Sequence, residues 1–187
     1  LNKPVICLLG GETDAGRTVT MSHTGALSAS SALYDAFFRR LGIVRATSLS
    51  HLIETAKLFT LGRRPKGRRI AVETASGTDA ARVTDLGERH GIVFPQPNAD
   101  LAAKLQDILP DIAAARNPVD VTMMLWGDRN AQAEALSTLI QVGVDAAAIV
   151  VDTPERLSTK PSYMIPILAM ADVARETDVP CYIISNL

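Results

Sequence analysis

His23 stands in the stretch MSHTGALSAS (21–30), flanked by Ser22, Thr24 and Gly25. Near neutral pH an imidazole keeps one unprotonated nitrogen, which can attack phosphorus and later release the group from a phosphoramidate. Ser22 and Thr24 bring hydroxyl and backbone donors without bulk, and Gly25 lets a ligand approach the main chain closely. Taken alone, these residues also fit a plain loop histidine. His51 lies at a helical position beside Leu52, as a surface or edge residue. His90 precedes Gly91 at a helix end, where histidine commonly meets the last carbonyls.

A second set of chemistry-bearing residues falls in turns that lead from strands into helices. TASGTDA holds Ser76, Gly77 and Thr78, TMMLWGDRN follows a short extended segment, and DTPERLST begins at Asp152–Thr153. Helix N-termini offer free N–H groups and partial positive charge, so such turns can hold phosphate. The same residue types are also ordinary helix caps. GGETDAG is not G-x-G-x-x-G, and there is no Walker loop and no G-x-S-x-G nucleophile elbow. No His, Cys, Asp or Glu cluster has metal-ligand spacing, so no metal site is expected within the chain.

The elements that must position these residues alternate. PVICLLG (4–10) is an apolar run stopped by Gly10–Gly11, the pattern of a buried strand. Residues 11–30 show neither helical nor strand period and are expected to form a long functional loop. SALYDAFFRRLG (31–42) puts Leu33, Phe37 and Leu41 on one helix face and ends on Gly42. IVRAT is a strand, and SLSHLIETAKLF is a helix with Leu49, Leu52, Ile53 and Ala56 together. The basic stretch TLGRRPKGRR (60–69) has the composition of a solvated hinge, with a phosphate-facing patch as its alternative. Beyond it, strands at RRIAVETAS, IVF, NPVDVT, DAAAIVVDT and PCYIISN alternate with four helices. Such alternation specifies βαβ units and a parallel sheet with helices on both faces, and ligands gather at the carboxyl ends of its strands. The expected class is α/β: a flavodoxin-like sheet over 69–187, a linker at 61–68, and part of another α/β domain over 1–60.

The 187 residues are 47% hydrophobic and 21% charged, with a net charge of −1. This suits a globular protein and gives no bulk attraction for nucleic acid or an anionic membrane surface. No apolar run reaches the roughly 18 residues of a membrane helix, and no leader opens the chain. Cys7 and Cys181 both lie in apolar runs and read as small hydrophobes of a reducing, cytoplasmic compartment. Both ends read as cut from a longer protein.

The stretch from KPVICLLGGETDAGRTVTMSHTGALSAS through SALYDAFFRRLGIVRATSLSHLIETAKLF resembles the phosphohistidine segment of the NDP-forming acyl-CoA synthetases. These relatives of succinyl-CoA synthetase include the ADP-forming acetyl-CoA synthetases. The family order is a K-P-[VI] strand, a glycine-rich loop, S-H-T-G-[AS]-L, then Y-D-x-x-[FL] and G-[IV], and all of it is present. GRRIAVETASG and LPDIAAARNPVDVT extend the resemblance, the latter to the family's N-P-[VL]-D-[LV]-T signature.

The resemblance implies that the earlier domain is of the succinyl-CoA-ligase type. It also implies that His23 relays phosphate: an acyl-CoA and phosphate give an acyl phosphate, which phosphorylates His23, and phosphohistidine then phosphorylates ADP. CoA, ATP or ADP with Mg2+, a small carboxylic acid, a CoA-binding domain, an ATP-grasp domain or subunit, and an oligomeric assembly follow as implied partners. Loop 11–30 would carry His23 between sites. Ser22, Thr24, Gly25, Ser76, Gly77, Thr78 and Thr153 would hold phosphate. Two departures stand out: ASGTDA replaces a Gly-Gly-x-Gly turn, and Met123 replaces a glycine. The competing readings are a non-catalytic module sensing CoA or another effector, as in relatives fused to lysine acetyltransferases, and a free-standing flavodoxin-like domain binding a nucleotide or flavin. The intact S-H-T-G favours phosphoryl transfer.

Overall fold

A computed structural model describes residues 3–24, 30–153 and 161–185, with the backbone alone at 23, 24 and 61. The chain divides into two compact units, Leu1–Arg64 and Pro65–Leu187.

The first unit runs β1 (Ile6–Leu8), α1 (Asp14–Thr24), α2 (Ser31–Leu41), β2 (Val44–Ala46) and α3 (Leu49–Leu61). β1 and β2 pair in parallel, Ile6 opposite Val44 and Leu8 opposite Ala46. Ser30 caps α2 by accepting the Leu33 N–H, and Gly42 ends it in the left-handed region at φ 67°. The Ile43 N–H then reaches the Phe38 carbonyl at 2.9 Å, closing the C-terminal turn. Ser48 caps α3, and its Oγ accepts the His51 N–H at 3.1 Å.

Two expectations are corrected here. The helix α1 occupies residues expected to form a loop. Its small polar residues do not break the helix, because their hydroxyls bond back into it. Thr18 Oγ donates to the Asp14 carbonyl at 3.0 Å, Thr20 Oγ to Gly16 at 2.6 Å and Ser22 Oγ to Val19 at 2.6 Å. Thr13 supplies the cap, accepting the Gly16 N–H at 3.1 Å. A search for apolar period misses a helix held this way. The second correction concerns faces: Leu33, Phe37 and Leu41 are 62%, 52% and 56% exposed, and Leu49 and Ile53 are also exposed, while Phe38 is buried. A two-stranded sheet has too little surface to cover both helices, so the helical period is right and the burial it suggests is absent.

The second unit contains β3 (Ile70–Thr74), α4 (Gly77–Arg89), α5 (Ala99–Ile108), β4 (Val119–Asp120), α6 (Arg129–Ile140), β5 (Ala146–Val150), α7 (Met164–Glu176) and β6 (Cys181–Ile184). The four strands are all parallel in the order β4-β3-β5-β6. Every residue of β5 is buried. Strand alternation divides the core in two. Ala71, Ala147, Ile149, Val119 and Val121 pack with Leu105 of α5, Leu136 and Leu139 of α6, and Met170 and Val173 of α7. Val72, Ala148 and Val150 pack on the other face with Val83 of α4 and Phe94. Helices therefore cover both faces, as a doubly wound α/β fold requires.

IVF, expected as a strand, makes a single parallel bridge from Val93 to Arg69. The gap between that bridge and β4 is filled by a side chain. Asn117, 3% exposed, accepts the Val72 N–H at 3.0 Å and donates to the carbonyls of Ile70 (2.7 Å) and Pro95 (3.1 Å). It stands in for the missing stretch of strand and keeps the β3 backbone paired.

Candidate functional site

Unit 1 places His23 as the penultimate residue of α1, and its position is set by that helix rather than by a loop. The Ser22 hydroxyl already donates to the Val19 carbonyl, so its single proton is in use. Thr24 ends α1. Gly25 lies outside the described residues.

The start of α1 is tied to the sheet by charge. Arg45, on β2, reaches Glu12 Oε1 at 2.9 Å and Asp35 Oδ1 of α2 at 2.5 Å. Hydrogen bonds donated to Asp35, and then to Glu12, hold the Arg45 guanidinium above its ordinary pKa. The network joins β2 and α2 to Glu12, just ahead of α1. Arg45→Gln is expected to speed hydrogen exchange across α1 while leaving the amides of β3 and β5 unchanged; identical α1 exchange in both proteins would refute this positioning role.

In unit 2, β3 and β5 are neighbours whose following loops lie at the point where the strand order reverses. A crevice at the carboxyl ends of such strands is the usual ligand site of the fold. Ser76, Gly77 and Thr78 follow β3, and Thr153 follows β5. Ser76 is the N-cap of α4, its Oγ accepting the Asp79 N–H at 3.3 Å, and its own N–H donates to Thr74 Oγ at 3.2 Å. Thr153 is half-buried at the last described position before residues 154–160, which lie outside the description.

Asp120, at the end of β4, adds an element not foreseen from the sequence. A Cβ placed on Gly77 would come 3.3 Å from Asp120 Oδ2. Its carboxylate thus lies against the first turn of α4, facing the partial positive charge there. Its other oxygen accepts the Thr122 N–H at 2.8 Å, and Thr122 sits at φ 60°. A β-branched residue is strained in that region, where glycine is at ease. Met123 and Met124 follow, 67% and 69% exposed.

The remaining singled-out residues are structural. His51 Nδ1 lies 3.3 Å from the Thr47 N–H at the start of α3, and the His90 carbonyl accepts from Arg68 at 3.1 Å. The basic stretch is engaged as well: Arg69 donates to the Val142 carbonyl at 3.1 Å, and Arg64 lies 5.0 Å over the Phe59 ring. Cys7 and Cys181 are half-buried and in no disulfide, and the Cys181 thiol donates to the Val179 carbonyl at 3.4 Å. Among the described residues no group of three His, Cys, Asp or Glu could hold a metal ion, and no helix is long and apolar enough to cross a membrane.

Together the parallel strand order and the capped turns at the crevice define a doubly wound α/β protein of flavodoxin-like type. Residues 1–59 match the family model of the succinyl-CoA ligase like flavodoxin domain. The chain is 32% identical over 126 residues to the acetate–CoA ligase [ADP-forming] II subunit alpha of Pyrococcus furiosus, covering 67% of this chain and 27% of that protein. It is also 32% identical over 140 residues to the acetate–CoA ligase [ADP-forming] I of Archaeoglobus fulgidus, covering 75% and 19%. The fold is that of a dinucleotide forming acetyl-coenzyme A synthetase from Ca. Korarchaeum cryptofilum, solved with phosphate and ADP, at a TM-score of 0.79 and 23% identity over 97% of this chain and 38% of that one. The chain belongs to the NDP-forming acyl-CoA synthetase family. It spans about a quarter or less of the length of these two curated relatives.

Proposed function

We propose that this chain is the phosphohistidine-bearing part of an NDP-forming acyl-CoA synthetase, an acid–thiol ligase that acts in the cytoplasm. The observation that carries the reading is the S-H-T-G sequence at 22–25 within a segment matching the family model. Phosphate attacks the thioester carbonyl of an acyl-CoA, releasing CoA and leaving an acyl phosphate. A ring nitrogen of His23 takes the phosphoryl group, releasing the carboxylic acid. The β-phosphate oxygen of ADP then takes it from the phosphoramidate, giving ATP and free histidine. Mg2+ accompanies the nucleotide, and the reverse sequence makes acyl-CoA.

Two structural features support the relay. None of the described side chains of α1 is buried: six are exposed, and Gly16, Arg17 and Thr20 are half-buried, so few buried contacts oppose its movement. Among its described hydrophobic residues unit 1 buries only Phe38 and Ala46, and it exposes apolar side chains on α2 and α3. Those faces are completed by further segments of the enzyme, which also supply the CoA-binding and ATP-grasp functions. Ser76, Gly77, Thr78 and Thr153 are assigned to phosphate, with Asp120 opposing an anion at α4. Asp120→Asn keeps the acceptor for Thr122 but removes the charge, and is expected to tighten phosphate binding roughly fivefold, about 1 kcal/mol at a near-surface effective dielectric. Calorimetric titration with phosphate checks this; unchanged or weaker binding would exclude Asp120 as the opposing charge.

Full-length protein supplied with acyl-CoA, phosphate, ADP, Mg2+ and an active ATP-grasp partner is expected to form ATP and free CoA thiol in equal amounts. Absence of ATP across short-chain and aromatic acyl-CoAs would overturn the proposal.

A further inference from the structure

Glu73 is a carboxyl group inside the core of unit 2. It lies near the end of β3, is 3% exposed, and its Oε2 has no hydrogen-bonding partner among the described residues. Strand alternation turns it to the same face as Ala71, toward α6 and α7. There it lines a cavity of about 10 Å3 with Val121, Trp126, Gln132, Ile149 and Pro166. That is about the space of one water molecule.

The charge environment is one-sided. No residue reaching the cavity from β4, β5, α6, α7 or the Trp126 turn carries a charge. Several charged groups on those elements have partners elsewhere. Asp120 lies against Gly77 and the Thr122 N–H, and Asp128 caps α6 by accepting the Ala131 N–H. Arg129 of α6 grips Asp172 of α7 through two bonds of 2.5 and 2.6 Å, and Arg175 also pairs with Asp172. Asp152, after β5, makes interactions of its own. Among the described residues lining the cavity none compensates a carboxylate at Glu73, and burying an uncompensated charge is far costlier than burying a neutral acid.

We propose that Glu73 is a built-in proton sensor: a neutral carboxylic acid hydrogen-bonded to one trapped water, whose ionisation loosens the turn joining β3 to α4. The turn adjoins it directly. Thr74, the next residue, accepts the Val121 N–H through its carbonyl at 2.8 Å and the Ser76 N–H through its hydroxyl at 3.2 Å. Ser76 in turn caps α4. A carboxylate at Glu73 can gain solvation only by moving β3 or the Trp126 turn outward, and either movement breaks this chain of bonds. The proton is released to bulk solvent, and no other reactant is needed. The inference does not depend on the proposed relay.

Burial alone pushes the Glu73 pKa from 4.5 up to about 8. Below 4.5 the folded and unfolded chains both hold the proton and the site costs nothing in charge. Between 4.5 and about 8 the unfolded chain has released it and the folded one has not, so stability falls as pH rises. Each pH step in that window lowers the folding equilibrium constant by about tenfold, and the penalty is constant above it.

Two measurements on the full protein test this. Carbon-13 NMR of labelled glutamate carboxyls is expected to show one group titrating near neutral or alkaline pH and absent from Glu73→Gln. Hydrogen exchange, corrected for its intrinsic pH dependence, is expected to accelerate at Ser76, Asp79, Ala80 and Val121 by about tenfold or more between about pH 6 and about pH 9. The Ile70 amide, bonded to Val93 at the other end of β3, serves as the reference. Glu73→Gln, which cannot ionise, is expected to abolish the acceleration. A Glu73 carboxyl that titrates in the ordinary acidic range overturns the proposal even if the variant does not fold. Corrected exchange at the turn that is independent of pH, or unaltered by Glu73→Gln, overturns the coupling.

Discussion

His23→Ala is expected to lower acyl-CoA-dependent ATP formation by roughly four orders of magnitude or more, the scale of losses when a nucleophile is removed outright. The alanine variant is expected to retain the α1 backbone, since the Thr13 cap and the hydroxyl bonds of Thr18, Thr20 and Ser22 do not involve residue 23. Alanine also has the highest helix propensity, so unfolding of α1 does not explain a loss. Binding of acyl-CoA and nucleotide should survive, which separates a chemical defect from a structural one. Ser22→Ala is a useful contrast, since its hydroxyl serves Val19 rather than a phosphoryl group. It should retain activity within about tenfold, a loss compatible with a helix-level hydrogen bond. Activity in His23→Ala within about tenfold of the natural protein would contradict a phosphohistidine intermediate.

The second large effect concerns Asn117 and is one of stability. Asn117→Ala leaves the buried Val72 N–H and the Ile70 and Pro95 carbonyls without the side-chain partners described above. Gln96 exchanges two hydrogen bonds with the Asn117 backbone at 3.1 and 2.5 Å, and alanine keeps both, so the loss isolates the side-chain amide. Three groups lose their partners, two of them only part-buried, so at about 1 kcal/mol or more each a loss of at least about 3 kcal/mol in unfolding free energy is expected. Asn117→Asp is no rescue: it keeps the acceptor for Val72 but sets a carboxylate against two carbonyls. Denaturant unfolding monitored at Trp126, in unit 2, measures both variants. A loss below about 1 kcal/mol in Asn117→Ala would show that the β3 edge is held by something else. The N-P-V-D segment thereby acquires a physical role, because Asn117 completes the strand edge and Asp120 follows at the α4 terminus.

Legibility in the sequence followed the strength of the local signal. Helices α2 to α7 announced themselves through caps and period, as with Ser30 and Gly42 around α2, and the buried β5 through its unbroken apolar run. The helix α1 did not, because Thr, Ser and Gly satisfy it through side-chain bonds that no hydropathy pattern records. The strand expected at 92–94 was reduced to one bridge, with a side-chain amide taking over the pairing. At the candidate site, His23 was legible from its neighbours and from the ordered family motif. Asp120 was not, since its approach to Gly77 depends on how β4 meets α4 in space. Glu73 offered a signal that went unused: a lone acid within the strand IAVET, where both flanking residues are buried. A charged residue in a parallel, fully covered strand is rare enough to mark.

The most direct test is to incubate the full-length protein and its ATP-grasp partner with labelled ATP and Mg2+, then follow the label on the protein. The relay requires a label that is lost in acid, survives base and is absent from His23→Ala. No label on the natural protein beside an active partner, or equal labelling of His23→Ala, would contradict it.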